Sequence, residues 1–300
     1  MALSRLADAV GGHPPDGPAS AALVAEFFAA RGVARGDIHG GLLTELYQAL
    51  SPARTPPDWR FAPRLDAPRA DRPTGPEVCA VIIETRPLPV LEQVIREFVD
   101  RLGIPVQLYY GPGNAAMIRA SALSALAERG RLILSFLDAE TLDAGRYNAL
   151  LLSEAFWRSI AGRRKILFFQ TDAILCPQSP HRLADFVGFD YVGATWGRRR
   201  PVGLTIDGGN GGLSLRDWTL CTQAIERFDP ARWPGGEDGY FAFHVDLMGG
   251  RVATAADCAR FATQSRFSAP SFGAHQISLL SAHERARFLD YCPEAARLLG

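Results

Sequence analysis

The chain has few cysteines for its length, and they follow no pattern that would join them. Five cysteines are scattered over 300 residues, and none forms a C-x-x-C pair. Their number and spacing exclude a disulfide framework and a zinc ribbon. The cysteines that stand in apolar runs are therefore expected to be small core residues.

An excess of charge of either sign is also lacking. Lys and Arg together number 32, as do Asp and Glu, so the formal net charge is zero. A nucleic-acid-binding protein normally has a basic field, and that class is therefore disfavoured. The sequence has no apolar stretch long enough to span a bilayer, and its N-terminus lacks the apolar segment of a signal peptide. We expect a cytoplasmic protein without a transmembrane segment.

Two regions of different character follow one another along the chain. Residues 1–50 carry apolar residues at helical spacing, whereas residues 51–78 are rich in Pro, Arg and Asp and show little periodicity. We therefore predict a helical N-terminal segment with a Pro-rich linker, residues 1–75, and a main domain, residues 76–300. The N-terminal helices either mediate homo-oligomerisation or partner binding, or pack as a helix pair on the main domain.

From residue 78 onward, short apolar runs alternate with amphipathic segments. The pattern predicts, in chain order, strand 78–85, helix 88–103, strand 105–111, helix 114–130, strand 131–137, helix 145–162 and strand 165–172. Strands that are apolar on both faces and alternate with helices are typical of a mostly parallel sheet covered on both sides. The predicted fold class is therefore α/β, and ligands of such sheets bind at the carboxyl ends of the strands.

Polar residues follow two of the predicted strands, where such a ligand would bind. Glu84, Thr85 and Arg86 follow the first strand, and Asp172 ends the fourth. An acidic residue at the end of a buried strand can hold a hard cation through its oxygens, and Asp172 is the best candidate for that role. It can equally cap the next turn, so both interpretations stay open.

Glycines and arginines are concentrated just before the next predicted strand. The stretch GGNGG, residues 208–212, has neither the Lys-Ser/Thr of a P-loop nor the spacing of a Rossmann fingerprint. It lets the backbone come close to a ligand or to another segment, and the alternative is a plain hairpin. Arg198, Arg199 and Arg200 could neutralise a diphosphate or form a solvated loop.

Two adjacent carboxylates, Glu237 and Asp238, stand between a diglycine and an aromatic run in WPGGEDGYFAF, residues 233–243. One of them could be a catalytic base. They could also cap a helix over residues 239–249, because acidic residues suit a helix N-terminus. Both roles are compatible, since the start of a helix holds a carboxylate rigidly.

Five motifs in a fixed order carry a resemblance to a known class of enzymes. They are FFQTDAILC, DYVGATW, GGNGGLSLR, EDGYF and FGAHQ, within residues 78–277. The chain resembles the GT-A nucleotide-sugar glycosyltransferases, which carry in the same order a D-x-D motif, a glycine loop, an x-E-D motif and a late histidine. It is more similar still to a glycosyltransferase-like family of unknown function from bacteria and fungi. The resemblance implies a GT-A-like, Rossmann-type sheet flanked by helices.

The resemblance also implies a donor site. The residues implied to bind the nucleotide-sugar are Glu84, Thr85, Arg86, Gln170, Thr171, Asp172, Gly209, Asn210, Gly211 and Gly212. Asp172 and His275 would hold a divalent metal ion, Mn²⁺ or Mg²⁺, on the diphosphate. Gln170 stands where the first Asp of D-x-D would be, so the metal is expected to bind weakly or to be dispensable.

The motif with two carboxylates is implied to perform the chemistry. Asp238 would be the general base and Glu237 a ligand of a sugar, while Trp233 and Gly236 would contact the acceptor. The implied activity is inverting transfer of a sugar, most commonly from a UDP-sugar, to the hydroxyl of an unidentified acceptor. The departure at Gln170 leaves a non-catalytic nucleotide- or sugar-binding module as the alternative. A phosphatase is disfavoured because its D-x-D-x-T motif is missing.

Overall fold

The computed structural model describes residues 2–13, 19–50, 57–67, 77–162, 164–196 and 203–299. The α-helices in these ranges are α1 (Ala2–Val10), α2 (Ala21–Ala29), α3 (Thr44–Ala49), α4 (Val90–Leu102), α5 (Ala115–Ala120), α6 (Leu123–Glu128), α7 (Ala144–Leu151), α8 (Glu154–Ser159), α9 (Trp218–Arg227), α10 (Glu237–Leu247), α11 (Ala255–Phe261) and α12 (Ala282–Tyr291). The strands are β1 (Leu65–Asp66), β2 (Val78–Ile83), β3 (Val106–Tyr110), β4 (Leu132–Leu137), β5 (Lys165–Phe169), β6 (Ala173–Leu175), β7 (Tyr191–Ala194), β8 (Asn210–Asp217), β9 (Ala262–Thr263) and β10 (Gly273–His275).

Seven strands form the central sheet, in the order β1-β4-β3-β2-β5-β8-β7. The four strands β4, β3, β2 and β5 are mutually parallel. β1 is antiparallel to β4, and β8 is antiparallel to both β5 and β7. β7 therefore runs in the same direction as the four parallel strands. The predicted α/β class with a mostly parallel sheet is confirmed, with β8 as a reversed strand inside it.

Helices cover both faces of the sheet, as the unbroken apolar runs predicted. Successive residues of β2 alternate between two hydrophobic cores. Val81 and Ile83 pack in the first core, together with α2 and α10. Ala80 and Ile82 pack in the second core, together with α4 and α11. A strand buried on both faces needs apolar side chains at every position, which explains the sequence VCAVII.

The two longest predicted helices each break at a serine. The segment 114–130 forms α5 and α6, and the segment 145–162 forms α7 and α8. Ser121 Oγ accepts a hydrogen bond from the backbone N–H two residues on, and Ser153 Oγ accepts one from the N–H of Phe156, each at 3.2 Å. Ser153 is the N-cap of α8, and Ser121 stands just before the N-cap of α6, so each serine oxygen takes up an N–H at the start of a new helix. Apolar periodicity continues across such a break, so it predicted single helices.

The N-terminal helices pack on the main domain. Val24 and Phe28 of α2 are buried in the same core as α10. Arg35 donates to the carbonyl oxygens of Asp246 (2.9 Å) and Leu247 (2.8 Å), the last residues of α10. The packed helix pair is therefore the alternative that agrees with these contacts. Homo-oligomerisation through these helices and a domain boundary near residue 75 stay predictions.

Part of the predicted linker, residues 57–67, forms a strap along the edge of the sheet. β1 lies within this strap and pairs antiparallel with β4, which places Leu65 opposite Leu137. Phe61 lies under the Arg146 guanidinium, 5.6 Å from its ring centroid to Cζ. The strap is therefore attached at the sheet edge and on α7. The remainder of the linker, 51–56 and 68–75, lies outside the described residues.

Among the helices of the described ranges, none is both long and apolar enough to cross a bilayer. The predicted cytoplasmic location stays a prediction.

Candidate functional site

The carboxyl ends of the parallel strands border a cavity of about 470 Å³. Most of the predicted site residues line it: Glu84, Thr85, Arg86, Gln170, Thr171, Asp172, Asn210, Gly211, Gly212, Gly236, Glu237, Asp238 and His275. Gly209 and Trp233 do not. Segments that are far apart in the chain therefore meet at one edge of the sheet, as parallel strands require.

β8 reaches this edge of the sheet with its first residues, whereas the parallel strands reach it with their last. Because β8 is antiparallel to β5, Leu213 pairs with Phe169 near the carboxyl end of β5. Asn210 and the two glycines after it therefore lie beside the residues that follow β5. The reversal of this one strand brings the glycine-rich stretch into the cavity.

The turn after β2 pairs its own acidic and basic side chains. Arg86 donates from Nε to Glu84 Oε1 (2.8 Å) and from its terminal nitrogen to Glu84 Oε2 (2.7 Å). The hydrogen bond to Glu84 raises the pKa of Arg86. Asn114, which is fully buried, donates to the carbonyl oxygens of Glu84 (2.7 Å) and Arg86 (3.2 Å). Asn114 thus holds the turn from its buried side, while 56% of the Arg86 side chain stays exposed at the cavity.

Asp172 and His275 meet because β6 and β10 pair antiparallel, with Ala173 opposite His275. His275 Nε2 lies 3.0 Å from Gln170 Oε1 and 3.2 Å from Asp172 Oδ1. Burial alone would raise the pKa of Asp172, but the contact with His275 and the charge of Arg86 outweigh it, and the pKa lies below its ordinary value. The two residues predicted to hold a metal ion therefore lie side by side, and their binding of a metal stays a prediction.

This pair supplies fewer ligands than a complete metal site. The described part of the chain holds no group of three or more His, Cys, Asp or Glu side chains that could bind a metal ion. Asp172 and His275 offer two donors, and the third neighbour is the amide oxygen of Gln170. Mg²⁺ is commonly bound by one or two carboxylates together with substrate phosphates. The donor set fits a cation shared with a diphosphate and does not fit a preformed protein cage.

Gly211 and Gly212, the second pair of glycines in GGNGG, allow side chains of other segments to come close to the backbone. A Cβ on Gly212 would lie 2.1 Å from Cε1 of His275, and one on Gly211 would lie 2.5 Å from Oε1 of Glu237. Real Cβ contacts are never this short, so His275 and Glu237 occupy the space that side chains here would fill. This pair does what the close-approach interpretation predicted.

The first pair of glycines makes the turn into β8. Gly208 and Gly209 have φ angles of 102° and 87°, in the region that L side chains rarely adopt. Gly209 lies against the backbone of Gly193 and not against the cavity, since a Cβ there would be 2.6 Å from the Gly193 carbonyl oxygen. Its predicted contact with a donor therefore finds no support in its position.

Glu237 is engaged with a buried arginine. Both terminal nitrogens of Arg216 donate to the Glu237 carboxylate, the second at 3.1 Å, and Arg216 is fully buried. Burial disfavours the charged guanidinium, but Glu237 outweighs it and raises the pKa of Arg216. Burial also raises the pKa of Glu237, against the attraction of Arg216. Glu237 thus reaches the cavity wall with its oxygens already bonded.

Asp238 lies in the first turn of α10 and lines the cavity. Its Oδ2 accepts hydrogen bonds from Asn210 Nδ2 (3.1 Å) and Trp196 Nε1 (3.3 Å), and its Oδ1 accepts from the N–H of Gly239 (2.7 Å). Asn210 is itself fixed, because its Oδ1 accepts from the N–H of Gly212 (2.9 Å). The carboxylate is therefore oriented by the glycine-rich stretch and remains half-buried at the cavity.

Trp233 lies elsewhere than predicted. It is 1% exposed, and its indole packs against Tyr240, Phe243 and His244, with ring centroids 5.2–6.0 Å apart. Its Nε1 donates to the carbonyl oxygen of Gly236 at 3.1 Å. The ring is thus a core residue that shapes the loop before α10, and it offers no face to an acceptor sugar in this structure.

The cavity-lining residues that were missed from sequence include Asp143, Tyr147 and Asn148, at the start of α7. Asn148 Oδ1 accepts from the N–H of Glu237 at 2.6 Å. It therefore caps α10, whose own N-cap residue, Gly236, has no side chain to do so. A polar pair inside the apolar run RYNALLL was the available signal. Arg216 was missed as well, and an arginine between the apolar residues of a buried strand is the signal for a buried ion pair.

The three arginines considered as partners of a diphosphate, Arg198, Arg199 and Arg200, lie outside the described residues.

Comparison with known proteins gives a partial family match and distant structural similarity. Residues 132–275 match DUF5672, a family described as a protein of unknown function, a shorter region than the resemblance covered. No curated protein matches the chain.

The similar solved structures include two glycosyltransferases. GlyE from Streptococcus pneumoniae is 10% identical over 74% of this chain and 62% of its own, with a TM-score of 0.43. The mannosyltransferase PcManGT from Pyrobaculum calidifontis, in complex with GDP-Man and Mn²⁺, is 18% identical over 78% and 64%, with a TM-score of 0.40. A Bacillus anthracis protein described as a glucose-1-phosphate thymidylyltransferase is 12% identical over 56% and 83%, with a TM-score of 0.37. This chain thus spans less than two thirds of the length of either glycosyltransferase.

Proposed function

We propose that the chain is an inverting glycosyltransferase that uses a nucleotide-diphosphate sugar, with a UDP-sugar as the donor. The observation that supports this proposal is the meeting of three predicted elements around one cavity of about 470 Å³. These elements are the Glu84–Arg86 turn, the Asp172–His275 pair and Asp238. An arginine, a pair of metal-type ligands and an oriented carboxylate are the groups that sugar transfer from a diphosphate needs.

The charges of the cavity favour a donor that binds together with a cation. Glu84 and Glu237 are paired with Arg86 and Arg216. Within the described ranges, Asp172 is paired with His275 alone. Asp238 has no cationic side chain as a partner in those ranges and accepts hydrogen bonds from neutral groups. A diphosphate would add further negative charge. Asp172 and His275 would hold Mn²⁺ or Mg²⁺, which offsets the charge of the departing diphosphate.

The proposed step is a single displacement. The acceptor oxygen forms a bond to the anomeric carbon while the bond from that carbon to the diphosphate oxygen breaks. The acceptor proton passes to Asp238, and the electron pair of the broken bond leaves with the nucleoside diphosphate. Attack from the face opposite to the leaving group inverts the anomeric centre. General-base assistance of this kind contributes about 10²–10⁴ in rate.

The fixed position of Asp238 suits that role. Its bonds to Asn210, Trp196 and Gly239 hold the carboxylate at the start of α10. Catalytic groups act best when their geometry is set before the substrate arrives. Glu237, in contrast, has its carboxylate occupied by Arg216, so we assign it to positioning the helix start.

A non-catalytic nucleotide- or sugar-binding module is the second candidate. The observation that favours it is the amide of Gln170, which contacts His275 Nε2 where a second carboxylate would add a metal ligand. Such a module would bind a nucleotide without transferring a sugar.

Thermal unfolding with UDP, GDP, CDP, ADP and dTDP, each with Mn²⁺ or with EDTA, tests the donor site. A ligand at about 100 times its Kd adds roughly 2.7 kcal/mol to the free energy of unfolding. For a chain of this size we expect Tm to rise by about 5 °C or more. The shift should occur with one nucleotide, and should fall in EDTA and in Asp172→Ala but not in the control Asp100→Ala, on an exposed face of α4.

The transferase and a nucleotide-binding module both require this shift. No response to any nucleotide would contradict the transferase and leave only a sugar-binding module. Release of nucleoside diphosphate from the matching nucleotide-sugar then separates the transferase from the nucleotide-binding module. Turnover that Asp238→Asn abolishes supports the transferase, whereas binding without turnover favours the module.

A further inference from the structure

A second cavity, of about 860 Å³, opens beside the first. One wall is the strap, with Pro57, Asp58, Trp59 and Arg60, and the other is the start of α7 with the diglycine before α10. Asp143, Ala144, Asn148 and Gly236 line both cavities. We infer that this second cavity binds the acceptor, and that the acceptor is a neutral saccharide.

The wall that the two cavities share lies next to the proposed base. Gly236 lies two residues before Asp238, and a Cβ on Gly236 would be 3.0 Å from Asp238 Oδ1. Asn148, next to Gly236 in the shared wall, accepts a hydrogen bond from the N–H of Glu237. A molecule seated in the second cavity therefore reaches Asp238 past Gly236, where a side chain would stand in its way.

Trp59 supplies the aromatic surface that Trp233 does not. It is partly buried, packs against the first core, and lies in a turn closed by the bond from its N–H to the carbonyl oxygen of Pro57 (2.9 Å). Phe61 and β1 attach the following residues to α7 and the sheet edge. The indole is thus held at the cavity before a ligand binds. A large ring with an apolar face, next to the carboxylates of Asp58 and Asp143, suits the C–H face of a sugar.

The charge of the walls selects among acceptors. Asp58 and Asp143 line the second cavity, and its one cationic side chain in the described ranges, Arg60, is 97% exposed and 3.8 Å from Asp58. Carboxylate and amide oxygens accept hydrogen bonds from sugar hydroxyls. They repel carboxylates and phosphates, since like charges at short range cost free energy. A neutral saccharide fits these walls, and an anionic acceptor does not.

This inference rests on the proposed function, because it assigns the cavity to the acceptor of that reaction. The strap residues Asp58 and Trp59, on which the inference depends most, lie before the family match at residues 132–275.

Saturation-transfer NMR on the full chain tests the site directly. The probes are methyl glucoside, methyl galactoside and methyl mannoside, with methyl glucuronide as the anionic counterpart. We expect at least one neutral glycoside to receive saturation from the wild type and the glucuronide to receive none. Trp59→Ala should reduce the signal at least fivefold, whereas Trp59→Phe, which keeps an aromatic face, should retain most of it.

Asp58→Asn serves as a second variant that leaves the ring in place, should Trp59→Ala fail to fold. It should keep the neutral glycoside and admit the glucuronide. The inference is overturned if no neutral glycoside binds, if the glucuronide binds the wild type as well, or if both Trp59 variants bind equally.

Nucleotide affinity is measured in parallel and separates the two proposals. We expect the Kd of the nucleoside diphosphate to change less than twofold in Trp59→Ala. Glycoside binding without nucleotide binding would refute the transferase and leave the saccharide site standing. Nucleotide binding with no effect of Trp59 on glycosides would refute the saccharide site alone.

Discussion

Glu237 and Asp238 are neighbours in the chain, yet their carboxylates bond to different partners. Glu237 is joined to Arg216 in the core, whereas Asp238 accepts from Asn210 at the cavity. The two like charges can stand side by side because the guanidinium offsets one of them. The Glu237 carboxylate lies in the core at the start of α10, and the Asp238 carboxylate is oriented at the cavity.

Asp238→Asn should abolish transfer and leave donor binding intact. The amide keeps the shape of the side chain but cannot take the acceptor proton, so kcat should fall about 100-fold or more. Steady-state kinetics and the Kd of the nucleotide measure the two effects. Asp246→Asn, near the other end of the same helix, is the control and should change kcat little. Turnover of Asp238→Asn within threefold of the wild type would refute the assignment of the base.

Arg216→Met should destabilise the fold strongly. It leaves the buried Glu237 carboxylate without its partner, and removing one member of a buried pair typically costs about 3–5 kcal/mol. Denaturant unfolding measures the loss. The double variant Arg216→Met with Glu237→Leu should recover much of it, because it leaves no unpaired charge. If Arg216→Met alone were as stable as the wild type, the pair would not organise the start of α10.

Gly212→Ala should disturb the Asp172–His275 pair without changing any polar group. The added Cβ would overlap the His275 ring at 2.1 Å, so the ring must move away. The part of the nucleotide affinity that depends on Mn²⁺ should fall about tenfold, as calorimetry with and without EDTA would detect. Gly36→Ala is the matched control, since a Cβ there meets no atom within 4 Å. If Gly212→Ala and Gly36→Ala had equal effects, the proposed role of His275 in holding the metal ion would be contradicted.

Acid should destabilise the protein through His244. Its Nδ1 donates to the carbonyl oxygen of Tyr240 (2.8 Å), so its Nε2 accepts from the Tyr47 hydroxyl (2.7 Å). Burial lowers the pKa of this imidazole to about 3, whereas an unfolded histidine titrates near 6.5. The stability contributed by neutral His244 is therefore complete above about pH 6.5 and is lost as the pH falls towards 3.

The free energy of unfolding measured between pH 7 and pH 4 checks this effect. His244 alone should contribute a slope approaching 1.4 kcal/mol per pH unit at the acid end of that range. His244→Gln should lower stability at pH 7 but flatten the slope. The slope should be unchanged in His283→Gln, an exposed histidine on α12. An identical pH dependence in His244→Gln and the wild type would contradict this prediction.

The part of the site that lies at strand ends could be predicted from sequence. Apolar runs locate buried strands, and the carboxyl ends of parallel strands meet, so Glu84 and Asp172 follow from pattern alone. The contribution of Asn148 could not be predicted in this way. It depends on how α7 is placed against α10, and that placement is set by packing between distant segments.

The direction in which a side chain points was the second feature that could not be predicted from the sequence. Trp233 stands four residues before Glu237, which suggested a role in the site, but nothing local decides whether an indole turns inward or outward. Here Tyr240 and Phe243 of α10, together with Tyr47 of the N-terminal helices, enclose it. Trp59, in a stretch with little periodicity, gave no signal of its place beside the cavity.

Residues from other parts of the chain bond the backbone groups at both ends of α10, the helix that carries Asp238. Asn148 satisfies its first N–H, and Arg35 satisfies its last carbonyl groups. A fragment that begins at residue 76 would therefore lack the contacts of Arg35, although the five motifs all lie beyond that residue. Such a fragment would bare the apolar side of α10 and leave its C-terminal end unsatisfied. Supplying residues 1–50 as a separate peptide should therefore restore the stability that their removal takes away.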